Sequence, residues 1–230
     1  MNSRIKQAMQ TSPLFSGLGE SDIDKLTSAA SIRVYGKREA LFMEGDPVES
    51  FYLVVSGQIK VYKLSADGKE HVLHLALPNQ TFAEGAIFGF TGYPASAEAV
   101  ESSEVIVIPK EAFLSLLDDD PKLCQRMLKE IAIWLRRMTD IIFSLAFKDV
   151  ETRLVGYVIS QCHNEYQDVQ NGMRFNLGIE KALLASYLGT IPETFSRALR
   201  KLQNNKLLSV DGPFVTIIDA EKLLSMIEKD

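Results

Sequence analysis

Cysteine is nearly absent from this chain: Cys124 and Cys162 are the only two in 230 residues. Thiols so far apart make neither a disulfide framework nor, alone, a cysteine metal site, and a reducing, cytoplasmic setting is the expectation. No apolar run approaches the roughly 18 residues that a membrane-crossing helix needs, so no membrane partner is expected. The opening stretch MNSRIKQAMQTSPLF has no apolar core behind its charges, so no secretory signal is read there. Positive charge is in short supply: 25 Lys and Arg stand against 30 Asp and Glu, a net −5. That argues against unspecific binding to polyanions, but not against a local cationic surface. No Ser/His/Asp arrangement, Gly-rich phosphate loop or metal-ligand spacing is visible, and an enzyme is not expected.

What is present falls into three segments. Residues 1–30 read as short helices, with Ser21 as the N-cap ahead of Ile23 and Leu26. From Ile32 to Pro109 the apolar period shortens to about two. Turn signals at Gly45-Asp46-Pro47, Ser56-Gly57 and Asp67-Gly68 divide it into short strands, as in an all-β sandwich or barrel. Asp67-Gly68 fits a two-residue hairpin turn. Helical periodicity returns after Pro109. Cys124, Leu128, Ile131, Leu135, Met138, Ile142 and Leu145 follow one another at steps of four and three, the a and d seam of three heptads. Lys129, Glu130, Arg136 and Arg137 lie off that seam. Two packings fit it: a helix laid on its own β domain, or a parallel two-stranded dimer helix, which the regular heptads favour. Met127, Trp134 and Ile141 widen the apolar face enough for one helix to do both.

Beyond residue 150 a second domain is expected, with helices at 150–163 and 180–188. A third helix lies in TIPETFSRALRKL, residues 190–202, then two short strands around Asp211-Gly212-Pro213 and a closing amphipathic helix. In the third helix Phe195, Leu199 and Leu202 form one stripe, and Glu193, Ser196, Arg197, Arg200 and Lys201 the opposite face. Ala185, Gly189 and Phe195 stand at positions 5, 9 and 15 of a helix-turn-helix. There, a small residue fits a helix crossing, glycine relieves the turn, and an apolar residue buries the second helix. Thr190 and Glu193 read as a capping box, with Pro192 in the first turn. Between residues 180 and 206 five positive charges oppose two negative ones, a local +3 in an acidic chain. A polar helix face is ordinarily just solvated. Here the spacing, the local charge, a hairpin wing and a dimer helix together point to double-stranded DNA. Arg197 suits guanine O6 and N7, Glu193 cytosine N4, Ser196 a base edge or phosphate, and Arg200 and Lys201 phosphate.

At this point the whole chain from about Pro13 resembles the cyclic-AMP receptor / fumarate–nitrate reduction regulator superfamily of bacterial transcription factors. The resemblance runs through PLFSGL, ALFMEGDPVESFYLVVSGQIKVYKLSADGKE, FAEGAIF, LAFKDVETRL and IPETFSRAL, in that order. It implies an α+β chain: a cyclic-nucleotide-binding-like β roll (a jelly roll) with N-terminal helices over 1–120, a dimerisation helix over 121–147, and a winged helix-turn-helix over 148–230. The dimer seam is then Leu128, Ile131, Leu135, Met138, Ile142 and Leu145. The implied partners are a second copy of the chain, palindromic DNA and RNA polymerase. Glu193, Ser196 and Arg197 match the E-x-x-S-R pattern of the fumarate–nitrate branch, which implies half-sites of TTGA type, with Thr194, Arg200 and Lys201 alongside.

The same resemblance places an effector pocket at Glu84, His74, Ala95 and Ser96 of the roll and at Met138 and Thr139 of the long helix. The family cassette carries a Gly where this chain has Ala83, and a phosphate-binding Arg where it has Ala95. No Lys or Arg occurs between Lys69 and Lys110. A buried cyclic phosphate without a cation is costly, so cyclic AMP is not expected. With no cysteine before Cys124, an N-terminal iron–sulfur cluster lacks its ligands. Within the superfamily the chain most resembles the nitric-oxide-responsive regulators, some of which bind haem. Haem takes an apolar slot and commonly an axial His. His71, His74 and His163 are available, as are Met and Tyr side chains. His71 and His74, three apart on a strand, are expected on opposite faces, with His74 at the pocket-lining position. The alternatives are ordinary surface or hydrogen-bonded histidines, and a regulator answering to a small organic effector, or to none, without haem.

Overall fold

The computed structural model describes residues 2–227 apart from Gly17, Asp120, 164–168 and Gly178. The chain divides into two compact units, Met1–Arg136 and Arg137–Asp230. It is α+β, as expected.

The first unit opens with α1 (Asn2–Thr11) and α2 (Glu20–Ala29). Eight strands follow: β1 (Ser31–Tyr35), β2 (Ala40–Phe42), β3 (Ser50–Ser56), β4 (Ile59–Leu64), β5 (Glu70–Ala76), β6 (Thr81–Phe82), β7 (Ser96–Ala99) and β8 (Ser103–Pro109). They form two antiparallel four-stranded sheets, β1-β8-β3-β6 and β2-β7-β4-β5, with α3 (Lys110–Asp119) after them. Alternation along β3 shows how the layers are held. Phe51 turns to the helices and meets Phe15 and Phe113; Tyr52, on the opposite face, stacks with Phe42 and Phe82. Both faces of β3 are therefore dry, and Phe51–Val54 read as a continuous apolar run.

Two local expectations are corrected. Glu20 opens α2 behind Gly19, so Ser21 lies inside the helix and is not its cap. The β4–β5 connection spans residues 65–69: the Ser65 and Gly68 N–H groups donate to the Lys69 and Ser65 carbonyls. Gly68 (φ +76) supplies the left-handed residue that a type I turn with a bulge requires, in place of a two-residue turn. Further along, β5 carries a second irregularity. Tyr62 faces Val72, but Val61 faces His74, so Leu73 is an extra residue.

Helix α4 (Pro121–Phe147) runs from the first unit into the second. Leu123 and Met127 are buried in the core of the first unit, so this helix does pack on its own β domain. Its seam does not: Leu128, Leu135 and Ile142 are 66%, 62% and 67% exposed, with Ile131 and Leu145 exposed and Met138 half-buried.

The second unit contains α5 (Val150–His163), β9 (Arg174–Asn176), α6 (Lys181–Tyr187), α7 (Pro192–Asn204), β10 (Leu208–Asp211), β11 (Phe214–Ile217) and α8 (Ala220–Ile227). Its sheet is antiparallel in the order β10-β11-β9. Val215 and Ile217 turn inward onto Phe195, Leu202 and Leu184 in one core.

Ala83 adopts a left-handed backbone, φ +63 and ψ 7, just before the 3-10 turn Glu84–Ile87. That conformation costs an alanine about 1–2 kcal/mol, partly offset by the larger unfolded-state freedom of glycine. Ala83→Gly is therefore expected to stabilise the first unit by about 0.5–1 kcal/mol. A urea midpoint unchanged or lowered by this substitution would refute the strain.

Candidate nucleic-acid interface and effector domain

The helix-turn-helix is built from steric requirements. Ala185 is fully buried, Gly189 takes φ +64, and the Thr190 N–H donates to the Ala185 carbonyl to close the turn. Phe195 is fully buried, with Ala198, Leu199 and Leu202 buried beside it. The capping box does not form. Ile191 occupies the N-cap of α7, without a side-chain cap. Pro192 explains this: the residue before a proline is driven to extended backbone, and Ile191 sits at φ −95, ψ 154. Thr190 is thereby left one residue too early.

With one face of α7 buried, Glu193, Ser196, Arg197, Arg200 and Lys201 are exposed on the other, and Thr194 is half-buried. Arg197 Nη2 donates to Thr194 Oγ1 at 3.1 Å, which restricts the guanidinium before any ligand arrives. Lys201 Nζ lies 2.6 Å from Glu151 Oε1 on the first turn of α5, and this carboxylate raises the lysine pKa. At the wing, Arg174 stacks on Phe214 at 4.5 Å and pairs with Asp211 at 3.2 Å. Strand β9 and this cluster were missed in the sequence, because three residues carry too little period to register.

The link between α4 and α5 is two residues, Lys148 and Asp149. The Thr152 N–H donates to Asp149 Oδ1 at 2.8 Å, and Arg153 Nη1 to the Lys148 carbonyl at 2.8 Å. Arg153, Gly156, Tyr157 and Tyr187 line a cavity of about 470 Å³ together with Ser144 and Leu145. Burial pushes the Tyr157 hydroxyl up to about 12.

In the roll, Ala95 and Ser96 are buried and Glu84 and His74 half-buried; Glu84 opens the 3-10 turn. The β5 irregularity corrects the reading of the histidines. His71 pairs with Lys63 and His74 with Val61, two apart on β4, so both imidazoles share one face. It is the face on which Ile59, Ala97 and Ala99 enter the core. Lys63, which precedes the stretch without Lys or Arg, shares that face and pairs with Glu44 at 2.9 Å. The Glu44 N–H in turn donates to Ser96 Oγ at 2.9 Å. Met138 and Thr139 belong to the second unit, the former half-buried and the latter exposed. His163 ends α5, its side chain outside the described set. Among the described residues no group of three or more His, Cys, Asp or Glu could hold a metal ion, and no helix is long and apolar enough to cross a membrane.

Comparison with known proteins agrees with this architecture. The profile of the cyclic nucleotide-binding domain family matches residues 32–120, and that of the Crp-like helix-turn-helix domain residues 152–226. The anaerobic regulatory protein of Pasteurella multocida is 30% identical over 91% of this chain and 77% of its own. DNR from Pseudomonas aeruginosa is 29% identical over 96% of both chains, with a TM-score of 0.52. FixK2 from Bradyrhizobium japonicum, at 23% identity, shares the fold with a TM-score of 0.74 over 86% of this chain and 96% of that one. The chain belongs to the cyclic-AMP receptor / fumarate–nitrate reduction regulator superfamily. These are DNA-binding transcription regulators that act as dimers, not enzymes.

Asp149 caps α5, and the Thr152 N–H first, then the Lys201 and Arg153 charges, hold its carboxyl below its ordinary value of 3.8. Its folded pKa being depressed, the stabilisation is present above about 3.8 and is lost as pH falls below it. Asp149→Ala should cost about 1 kcal/mol near neutral pH. Asp149→Asn should keep most of the cap but lack this acid-dependent loss, as read by thermal unfolding across pH. An Asn variant with the same acid sensitivity as wild type would rule the linkage out.

Proposed function

We propose that this chain is a homodimeric regulator that binds a palindrome of TTGA-type half-sites and answers to an anaerobic or nitrosative signal through its β roll. The observation that carries the DNA reading is the helix α7. Its apolar stripe, Phe195, Leu199 and Leu202, is buried in the core of the second unit, so Glu193, Ser196 and Arg197 can only face outward. In this reading those three meet base edges, and Thr194, Arg200 and Lys201 lie along the phosphates. The domains are the roll over 1–120, the dimer helix over 121–147 and the winged helix over 148–230. The exposed row Leu128, Ile131, Leu135, Met138, Ile142 and Leu145 pairs with its copy. That sets two α7 helices to successive major grooves, about 34 Å apart. RNA polymerase is the further partner, in the cytoplasm.

The effector lies against Glu84, His74, Ala95 and Ser96 of the roll. Cyclic AMP does not suit this set: buried Ala95 offers no donor, and Lys63 is already neutralised by Glu44. The resemblance to nitric-oxide-responsive regulators, and a relative named as an anaerobic regulatory protein, favour that signal. His71 and His74, on the inner face of β4–β5, are donors of the kind haem iron takes, and bound haem would supply the nitric oxide affinity. A second reading is a small organic effector without haem, with the half-buried His71 and His74 as its hydrogen-bonding groups.

Arg197→Ala should weaken binding to the palindrome by about 1–3 kcal/mol and relax selectivity at one base pair. An equal loss on every duplex would contradict base reading. Leu135→Asp should convert the dimer to monomer in analytical ultracentrifugation and abolish palindrome binding with it; a dimer that survives this change pairs elsewhere. Wild-type protein mixed with haem should show a Soret band that shifts under nitric oxide. A flat visible spectrum selects the second reading.

A further inference from the structure

The Lys201–Glu151 pair lies at the edge of the reader face, not away from it. Lys201 is exposed on α7, while the Glu151 side chain is 19% exposed on the first turn of α5. Asp149, two residues earlier, adds its negative charge to the field at the same ammonium. A phosphate that takes Lys201 must therefore draw it away from a carboxylate already in contact. It would also leave Glu151 and Asp149 facing a polyanion with one cation fewer between them. Arg197 differs: its partner, Thr194, is neutral and can stay bonded while the guanidinium meets a base.

We propose that Glu151 is an electrostatic brake on the DNA face: it holds Lys201 in the free protein and thereby lowers affinity for any duplex, without affecting which sequence is preferred. This rests on the proposed placing of Lys201 along the phosphates. The brake belongs to the counterion part of binding, not to base readout. Its strength is that of a partly exposed ion pair, applied twice in a dimer.

Fluorescence anisotropy with a TTGA palindrome and with a random duplex, over a range of salt, tests it in four proteins: wild type, Glu151→Gln, Lys201→Gln and the double variant. Glu151→Gln should tighten both duplexes alike, by roughly three- to tenfold near 0.15 M salt. It should also steepen log K against log salt by up to about 0.9 for each lysine released to phosphate. In the Lys201→Gln background the same change should have no such effect. Three results overturn the proposal: unaltered affinity and slope in Glu151→Gln, an equal gain with Lys201 absent, or a gain confined to the palindrome. Should wild type not prefer the palindrome over random duplex, the sequence-reading assignment fails instead. The brake then stands or falls on the random duplex alone, and absence of binding to both duplexes overturns the two together.

Discussion

Burial of Phe195 at the crossing of α6 and α7 is the constraint from which the reader surface follows. A helix has one face to give to a core, and once Phe195, Leu199 and Leu202 fill it, residues 193, 196, 197 and 200 are outward by geometry. No hydrogen bond to a capping side chain is needed to set the angle at which α7 begins. Gly189 turns the chain and Pro192 holds Ile191 extended. The start of the helix is thus imposed by backbone sterics, and its polar face is free to be chosen for chemistry.

Helix α4 solves a different problem. Leu123 and Met127 enter the first unit's core, yet Leu128, Leu135 and Ile142 stay open along a neighbouring line. An exposed row of aliphatic side chains four turns long is unfavourable in water. The self-complementary partner proposed above would remove it, and the same contact would double the DNA face. Stability and symmetry are in this way one requirement.

The long periodic elements were legible in the sequence: the α4 seam, the Ala185–Gly189–Phe195 spacing and the hairpin at Asp211-Gly212-Pro213. Each depends on contacts within one element or its neighbour. What escaped depended on competition or on pairing across strands. Thr190 and Glu193 have the letters of a capping box, but Pro192 outcompetes them. Ser21 has the letter of a cap, but Glu20 already begins the helix. His71 and His74 appear opposed until β4 is seen to skip Leu73. Lys63 was missed because it reaches Glu44, and through it Ser96, from an adjacent strand. In the site, the outward face of α7 could be read in advance; its link to Glu151, fifty residues away, could not.

The extra residue at Leu73 makes the spacing of β5 part of its chemistry. Everything from His74 onward is offset by one step relative to the hairpin end, so parity is reset within a single strand. Removing one residue there would leave composition and hairpin nearly intact while rotating one imidazole to the other side of the sheet. Relatives of equal similarity but different strand length would therefore present different donor sets to the interior, and a one-residue insertion or deletion becomes a route by which this architecture changes what it detects.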